Sequence, residues 1–310
     1  MRIIRCHPSR FDALVSFVAE HNPQPEHHIG YYGLTPEDIR LTLRMFNWPF
    51  DRAARLAVVG NRIVGVLAAD IDKEIGRAWL YGPLVVEEDD EKGRRTSESA
   101  SHPAWAWDET ADALYTAVAA RLPADIREHE MFVDTANAHC RSFAARHGFA
   151  TVGEWAIYFI TPERLALLPE ATAEAWDERF APQLEALHNG LFPASNYTLS
   201  YMRQEWAEKG ALLLIATEGG TLHGYFFGRY EAEAGEGYVD LVGVDASQRR
   251  TGLGRQLMLA GLSRLRGEAG LRQVNLSVAA GNDPALALYD SLGFVRERDM
   301  IAFRLAVAQD

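Results

Sequence analysis

Two stretches of this 310-residue chain repeat each other, and that repeat restricts the fold more than any other feature. Val59-Gly-Asn-Arg-Ile-Val-Gly-Val-Leu67 aligns with Glu218-Gly-Gly-Thr-Leu-His-Gly-Tyr-Phe226, which sets Gly65 on Gly224 at an offset of 159. The same offset sets Val85 on Val244. Asn137 to Phe149 then matches Asn282 to Phe294 at an offset of 145. A repeat of such long period means duplicated architecture. The change from 159 to 145 puts 14 additional residues into the first half, within Glu87–Pro103.

Hydrophobic period and chain breakers predict one order of elements for both halves. In the first, strands are expected at 2–6, 54–60, 62–71, 77–86, 130–135 and 151–161, with helices at 11–20, 36–47, 107–121 and 138–147. In the second, strands are expected near 173–177, 211–217, 221–231, 236–244, 272–279 and 295–306. Its helices fall near 181–190, 198–208, 253–267 and 284–292. This is an α+β chain of two domains, 1–161 and 175–310, with a linker at 162–174 that holds Pro162 and Pro169.

The most chemically telling segment is Arg249-Arg-Thr-Gly-Leu-Gly254, between the apolar strand Tyr238–Val244 and the helix that begins at Leu253. A helix start leaves several backbone N–H groups without an internal acceptor. The helix dipole favours an anion there, and glycine allows positive φ and a close approach of the ligand. Arg249, Arg250 and Arg255 add full charges, so the segment suits a pyrophosphate. It is not a Walker A loop, because Gly-Lys-Ser/Thr is missing, and its R-x-x-G-x-G spacing departs from the dinucleotide fingerprint.

Downstream come the strand Gln273–Ala279, Asn282, a helix carrying Tyr289, and Leu-Gly-Phe at 292–294. Val244, Arg249, Gly252, Gly254, Asn282, Tyr289, Gly293 and Phe294 match, in order and spacing, the signature of the GNAT superfamily of acyl-CoA-dependent N-acyltransferases. The chain resembles that superfamily over residues 175–306, and its repeat resembles the tandem type. The resemblance implies two GNAT domains, each a mixed, mostly antiparallel sheet flanked by helices, with the second domain active. It implies acetyl-CoA as acyl donor, its pyrophosphate on Arg249, Arg250, Thr251, Gly252, Leu253, Gly254 and Arg255. The pantetheine arm would then run along Val242, Gly243 and Val244, with Asn282 touching it or capping the helix that follows.

Acyl transfer to an amine sets further demands. The Val244 N–H is the expected donor to the carbonyl oxygen as it gains charge. A phenol (pKa ~10) can protonate a leaving thiolate (~8.5), and the resemblance assigns that role to Tyr289. An alkyl ammonium must first lose a proton. The usual register puts the base near Tyr238, which is no carboxylate, so Asp240 is the first candidate and Glu236 the second. Alternation by two predicts that Glu236, Tyr238, Asp240 and Val242 share one strand face. The segment His188–Tyr197 is expected to shape the acceptor pocket, and Trp206, Phe226 and Phe227 are candidates to line the cleft.

The first half is expected to be silent. At offset 159 Arg249 becomes Asp90 and Gly254 becomes Arg95, within the acidic run Glu87–Glu91, and at offset 145 Tyr289 becomes Ala144. Its role is then a scaffold or a wall of the cleft. The net charge of −12 argues against nucleic acid as a partner. No 18-residue uncharged apolar window suggests a membrane span, and no signal peptide is read at the start. Cys6 and Cys140 fit reduced thiols of a cytoplasmic protein. His21, His27 and His28 lack ligand spacing and are expected at the surface, so no metal is expected.

The expected activity is acetyl transfer from acetyl-CoA to a primary amine of a small molecule or peptide. The competing reading is a non-catalytic acyl-CoA-binding or sensing protein. Monomer and homodimer are both open.

Overall fold

The computed structural model describes residues 1–86, 105–193, 195 and 197–307. The chain divides into two compact units, Met1–Glu154 with Asp299–Asp310, and Trp155–Arg298. In chain order the first half gives β1 (Arg2–Arg5), α1 (Phe11–His21), α2 (Pro36–Arg44), α3 (Phe50–Ala53), β2 (Arg55–Val59) and β3 (Arg62–Asp72). Then follow β4 (Arg77–Val85), α4 (Trp107–Ala119), β5 (Glu128–Asp134), α5 (Ala138–Arg146) and β6 (Ala150–Ile160). The second half gives α6 (Pro162–Leu165), β7 (Glu174–Ala175), α7 (Ala181–Leu191), α8 (Leu199–Lys209), β8 (Leu212–Glu218) and β9 (Thr221–Glu231). It ends with β10 (Glu236–Val244), α9 (Leu253–Leu265), β11 (Gln273–Ala279), α10 (Asp283–Ser291) and β12 (Val295–Ala306).

In the first unit β1 to β4 pair antiparallel in sequence order, and β4 runs parallel to β5. Met300–Ala306 of β12 close this sheet, antiparallel to β5. The core gathers Leu14, Val18, Ile39, Leu56, Val66, Leu80, Leu114, Val133 and Phe143, together with Ile301 and Phe303 from β12. Each such side chain contributes about 1.5–3 kcal/mol by leaving water.

The second unit repeats the pattern. β7, β8, β9 and β10 pair antiparallel, β10 runs parallel to β11, and Trp155–Ile160 of β6 pair antiparallel with β11. Both faces of this sheet are covered. Phe226, Val239, Leu257, Met258, Leu262 and Leu265 form one core, on the α9 side. Leu184, Met202, Leu213, Ile215, Phe227 and Leu241 form the other, on the side of α7 and α8. Phe226 and Phe227 therefore do not line a cleft: neighbouring strand residues point to opposite faces, and both are 0% exposed in separate cores.

The compact units differ from the expected division at 1–161, 162–174 and 175–310. Each half of the sequence supplies a strand to the other unit's sheet: residues 155–160 lie along β11, and 300–306 lie along β5. The expected linker packs as part of the second unit, where Leu165 is buried and Leu168, Ala171 and Ala173 rest on its core. Arg266 fastens it by donating to the carbonyls of Leu165 and Leu168, each at 3.3 Å. A repeat is read in chain order, whereas strand backbone groups are satisfied by whichever edge they reach through space.

His21, His27 and His28 are buried, contrary to the expectation of surface positions. The loop after α1 folds back: the Asn22 side-chain oxygen accepts from the Ile29 amide at 2.8 Å, and His28 Nδ1 lies 2.8 Å from the Asn22 carbonyl. Cys6 and Cys140 are buried free thiols. Among the described residues no helix is long and apolar enough to cross a membrane, and no three His, Cys, Asp or Glu side chains gather as a metal site requires.

Candidate functional site

β10 and β11 stay in register only from Glu236 opposite Gln273 to Val239 opposite Leu276. Beyond that point β11 follows β6 to Ala279 while β10 follows β9 to Val244, so the parallel strands part. The Asp245 amide donates to the His223 carbonyl at 2.8 Å. Antiparallel pairs alternate between bonded and unbonded residues. Counting back from Asp245, the amides of Gly243 and Leu241 face β9, and those of Val242 and Val244 face the gap vacated by β11.

The same strand carries a bulge. Its register with β9 shifts between Val239 and Leu241, which leaves Asp240 as the additional residue. Alternation is reset there. Val242 does not share the face of Glu236, Tyr238 and Asp240; with Val244 it packs on the α9 side, while Leu241 joins Phe227 on the other.

The turn after β10 is left-handed at Arg250 (φ 64°) and Gly252 (φ 94°). The first helical bond of α9 runs from the Gln256 amide to the Gly252 carbonyl at 3.0 Å. Among the described residues, the amides of 250–255 find no protein acceptor. Arg249 and Arg250 are exposed and form no salt bridge among those residues. Arg255 is engaged, donating to Ser291 Oγ at 2.8 Å and tying α10 to the start of α9. A Cβ on Gly254 would meet Val244 at 3.6 Å and Leu288 at 3.9 Å, ordinary contacts. Packing does not require glycine there, but a ligand lying against the helix start would. This set of donors and cations fits a pyrophosphate.

α10 is capped by Asn282, whose side-chain oxygen accepts from the Ala285 amide at 3.3 Å, with Pro284 in the first turn. Tyr289 packs beside Tyr158 and Phe294, with ring centroids at 6.4 and 5.9 Å. Burial pushes its phenol up to about 12. Its hydroxyl makes no hydrogen bond among the described residues, so a proton is available to donate.

The two carboxylates are both held. Asp240, with 6% of its side chain exposed, receives Arg229 Nε at 3.1 Å and the Tyr197 hydroxyl at 3.0 Å. Burial raises its carboxyl above the usual carboxylate value, against the opposing pull of Arg229 and Tyr197. Glu236 accepts from the Tyr238 hydroxyl at 2.6 Å and from Asn275 Nδ2 at 3.1 Å. Arg229 links the two groups, its guanidinium 4.7 Å above the Tyr238 ring and paired with Glu231. Sequence reasoning did not single out Arg229. Its signal was the hairpin after β9, whose register sets Arg229 opposite Tyr238.

The first unit has the same parting, with β4 and β5 in register only as far as Trp79 opposite Glu130. Its gap is filled by protein. Pro83, at the place of Val242, has no N–H to offer, and its carbonyl accepts from Cys140 Sγ at 3.2 Å. Trp105 Nε1 donates to the Val86 carbonyl at 2.9 Å, and Ala144, at the place of Tyr289, is 0% exposed. The expected loss of the anion turn at Asp90 and Arg95 lies outside the described residues.

The model of the acetyltransferase (GNAT) family matches residues 173–294. Over that segment the chain is similar to the GNAT family. A mycothiol acetyltransferase of Pseudarthrobacter chlorophenolicus is 29% identical over 252 residues, covering 73% of this chain and 74% of that relative. Another, from Thermobispora bispora, is 45% identical over 101 residues, 30% of this chain and 33% of that relative. Among solved structures, a GCN5-related N-acetyltransferase from Sphaerobacter thermophilus aligns with TM-score 0.66 at 18% identity, covering 98% of this chain and 95% of its own. A tandem GNAT protein from the clavulanic acid biosynthesis pathway aligns with TM-score 0.62 at 17% identity, covering 100% of this chain and 99% of its own. At such identities these structures establish the fold, that of a tandem GNAT protein.

Proposed function

We propose that the second unit transfers an acetyl group from acetyl-CoA to a primary amine of a small molecule. The observation that carries this is the pairing of unbonded amides at 250–255 with the parted end of β10, in a chain similar to the GNAT family. The pyrophosphate rests on the amides at 250–255 with Arg249 and Arg250, and the pantetheine arm runs along the free edge of Val242–Val244. Relatives named for mycothiol support a small acceptor.

Asp240 takes a proton from the acceptor ammonium, and the neutral nitrogen attacks the thioester carbonyl. The Val244 N–H donates to the carbonyl oxygen as it becomes negative. The C–S bond breaks, Tyr289 protonates the sulfur, and the proton remaining on nitrogen returns to the phenolate. An amide and a free thiol result. Asp240 is preferred over Glu236 because it stands at the bulge next to the parted amides.

The test is thiol release from acetyl-CoA across a panel of small amines, with Tyr289→Phe and Asp240→Asn run beside the parent. Turnover that falls in both variants while calorimetric affinity for acetyl-CoA persists supports the reading. Affinity without turnover for any amine would instead favour an acyl-CoA sensor.

A further inference from the structure

Asp240 is enclosed by three elements, and the groups facing it can be named. From β9 comes Arg229, which Glu231 and Tyr238 of β10 hold in turn, with Glu236 accepting from Tyr238; from α8 and the segment before it come Tyr197, Tyr201 and Glu205, the last paired with Lys209. Two of them donate hydrogen bonds to its carboxylate: Arg229 through Nε and Tyr197 through its hydroxyl. Neither is loosely held. Arg229 is clamped by Glu231 and by the face of Tyr238. The Tyr197 ring packs edge-on against Tyr201 and Phe227, at centroid distances of 5.4 and 6.0 Å.

A carboxylate buried to this depth takes up a proton and stops serving as a base unless an opposite charge holds it ionised. Glu205 adds to that tendency and Arg229 opposes it. Lys209 is spent on Glu205, at 2.7 Å, which leaves Arg229 as the cation in contact with Asp240 among the described residues. Arg229 also reaches Glu231, so it arrives oriented before any acceptor binds.

We propose that Arg229 and Tyr197 are positioning residues that keep Asp240 ionised and aimed while it is shielded from water, so that the reaction has a working base at neutral pH. This rests on the assignment of Asp240 as the base made above. Arg229 supplies the charge and Tyr197 the orientation.

The experiment is the pH profile of kcat/KM for the full chain and for Arg229→Gln, Arg229→Lys, Tyr197→Phe and Asp240→Asn. Acetyl-CoA affinity serves as the check that each protein is folded. Arg229→Gln is expected to move the acidic limb upward by about one to three pH units, with acetyl-CoA affinity unchanged. Arg229→Lys should restore most of that shift, because the charge returns without the fork. Tyr197→Phe should move the limb in the same direction by less. If Arg229→Gln does not fold, Tyr197→Phe still decides: an acidic limb unmoved in that variant overturns the proposal. Full activity in Asp240→Asn would refute the base assignment instead, whereas a dead Asp240→Asn beside an unmoved limb in Arg229→Gln refutes this inference alone.

Discussion

Val239 and Leu276 are the last pair at which β10 and β11 run in parallel register, and one residue later Asp240 bulges out of the ladder with β9. The two irregularities have joint consequences. The parting frees the amides of Val242 and Val244, and the bulge turns Asp240 toward Arg229 and Tyr197 while Val242 turns to the α9 side. Two amides on a parted strand edge and a shielded carboxylate thus come from one short strand segment.

Arg249→Ala should weaken acetyl-CoA binding about ten- to a hundredfold, the effect of losing one charge-assisted contact of roughly 1.5–3 kcal/mol. Arg249 is exposed and makes no salt bridge among the described residues, so the melting temperature should hold. Calorimetric titration reads the outcome, and an unchanged Kd would contradict the placement of the pyrophosphate.

Gly254→Ala separates stability from binding. The added methyl group meets only ordinary contacts at 3.6 and 3.9 Å inside a helix, where alanine is favoured over glycine by roughly 0.5–1 kcal/mol. The variant should melt no lower than the parent yet bind acetyl-CoA more weakly. A lower melting temperature with normal affinity would mean that the glycine serves the fold.

Tyr289→Phe should lower kcat about 10²- to 10⁴-fold, the range for loss of a general acid, while leaving acetyl-CoA affinity in place. The phenol, pushed up to about 12 by burial, stays protonated across neutral pH and has a proton to give. Steady-state rates from a thiol-release assay check this, and a kcat within twofold of the parent removes Tyr289 from the chemistry.

His129 in the first unit is 2% exposed, with Nδ1 2.8 Å from the Tyr115 hydroxyl, and burial lowers its pKa to about 4. In the unfolded chain it titrates near ~6.5. Between those values the unfolded state binds the extra proton, so stability is complete above about pH 6.5 and is lost as pH falls toward 4. The loss amounts to about 2–3 kcal/mol. Denaturant melts at pH 7 and pH 4.5 should show a smaller drop in His129→Gln than in the parent; equal drops would rule out His129 as the titrating group.

A fragment cut to the repeat, residues 162–310, lacks the strand that covers β11 and retains 300–306 without β5. It should lose its cooperative melting transition, whereas a fragment of residues 155–298 keeps every strand of the second unit's sheet. Circular dichroism melts of the two fragments distinguish these outcomes.

The repeat, the order of elements and the glycine turn were legible in the residues themselves. Each rests on short-range chemistry: hydrophobic period, helix starts, and the conformations open to glycine. What sequence could not decide depends on pairing through space. The exchange of β6 and β12 between the units, the burial of Phe226 and Phe227 in opposite cores, and the face on which Val242 lies all follow from strand edges meeting over long separations. A single additional residue at Asp240 inverts the alternation for everything after it, and only the partner strand reveals where that residue falls.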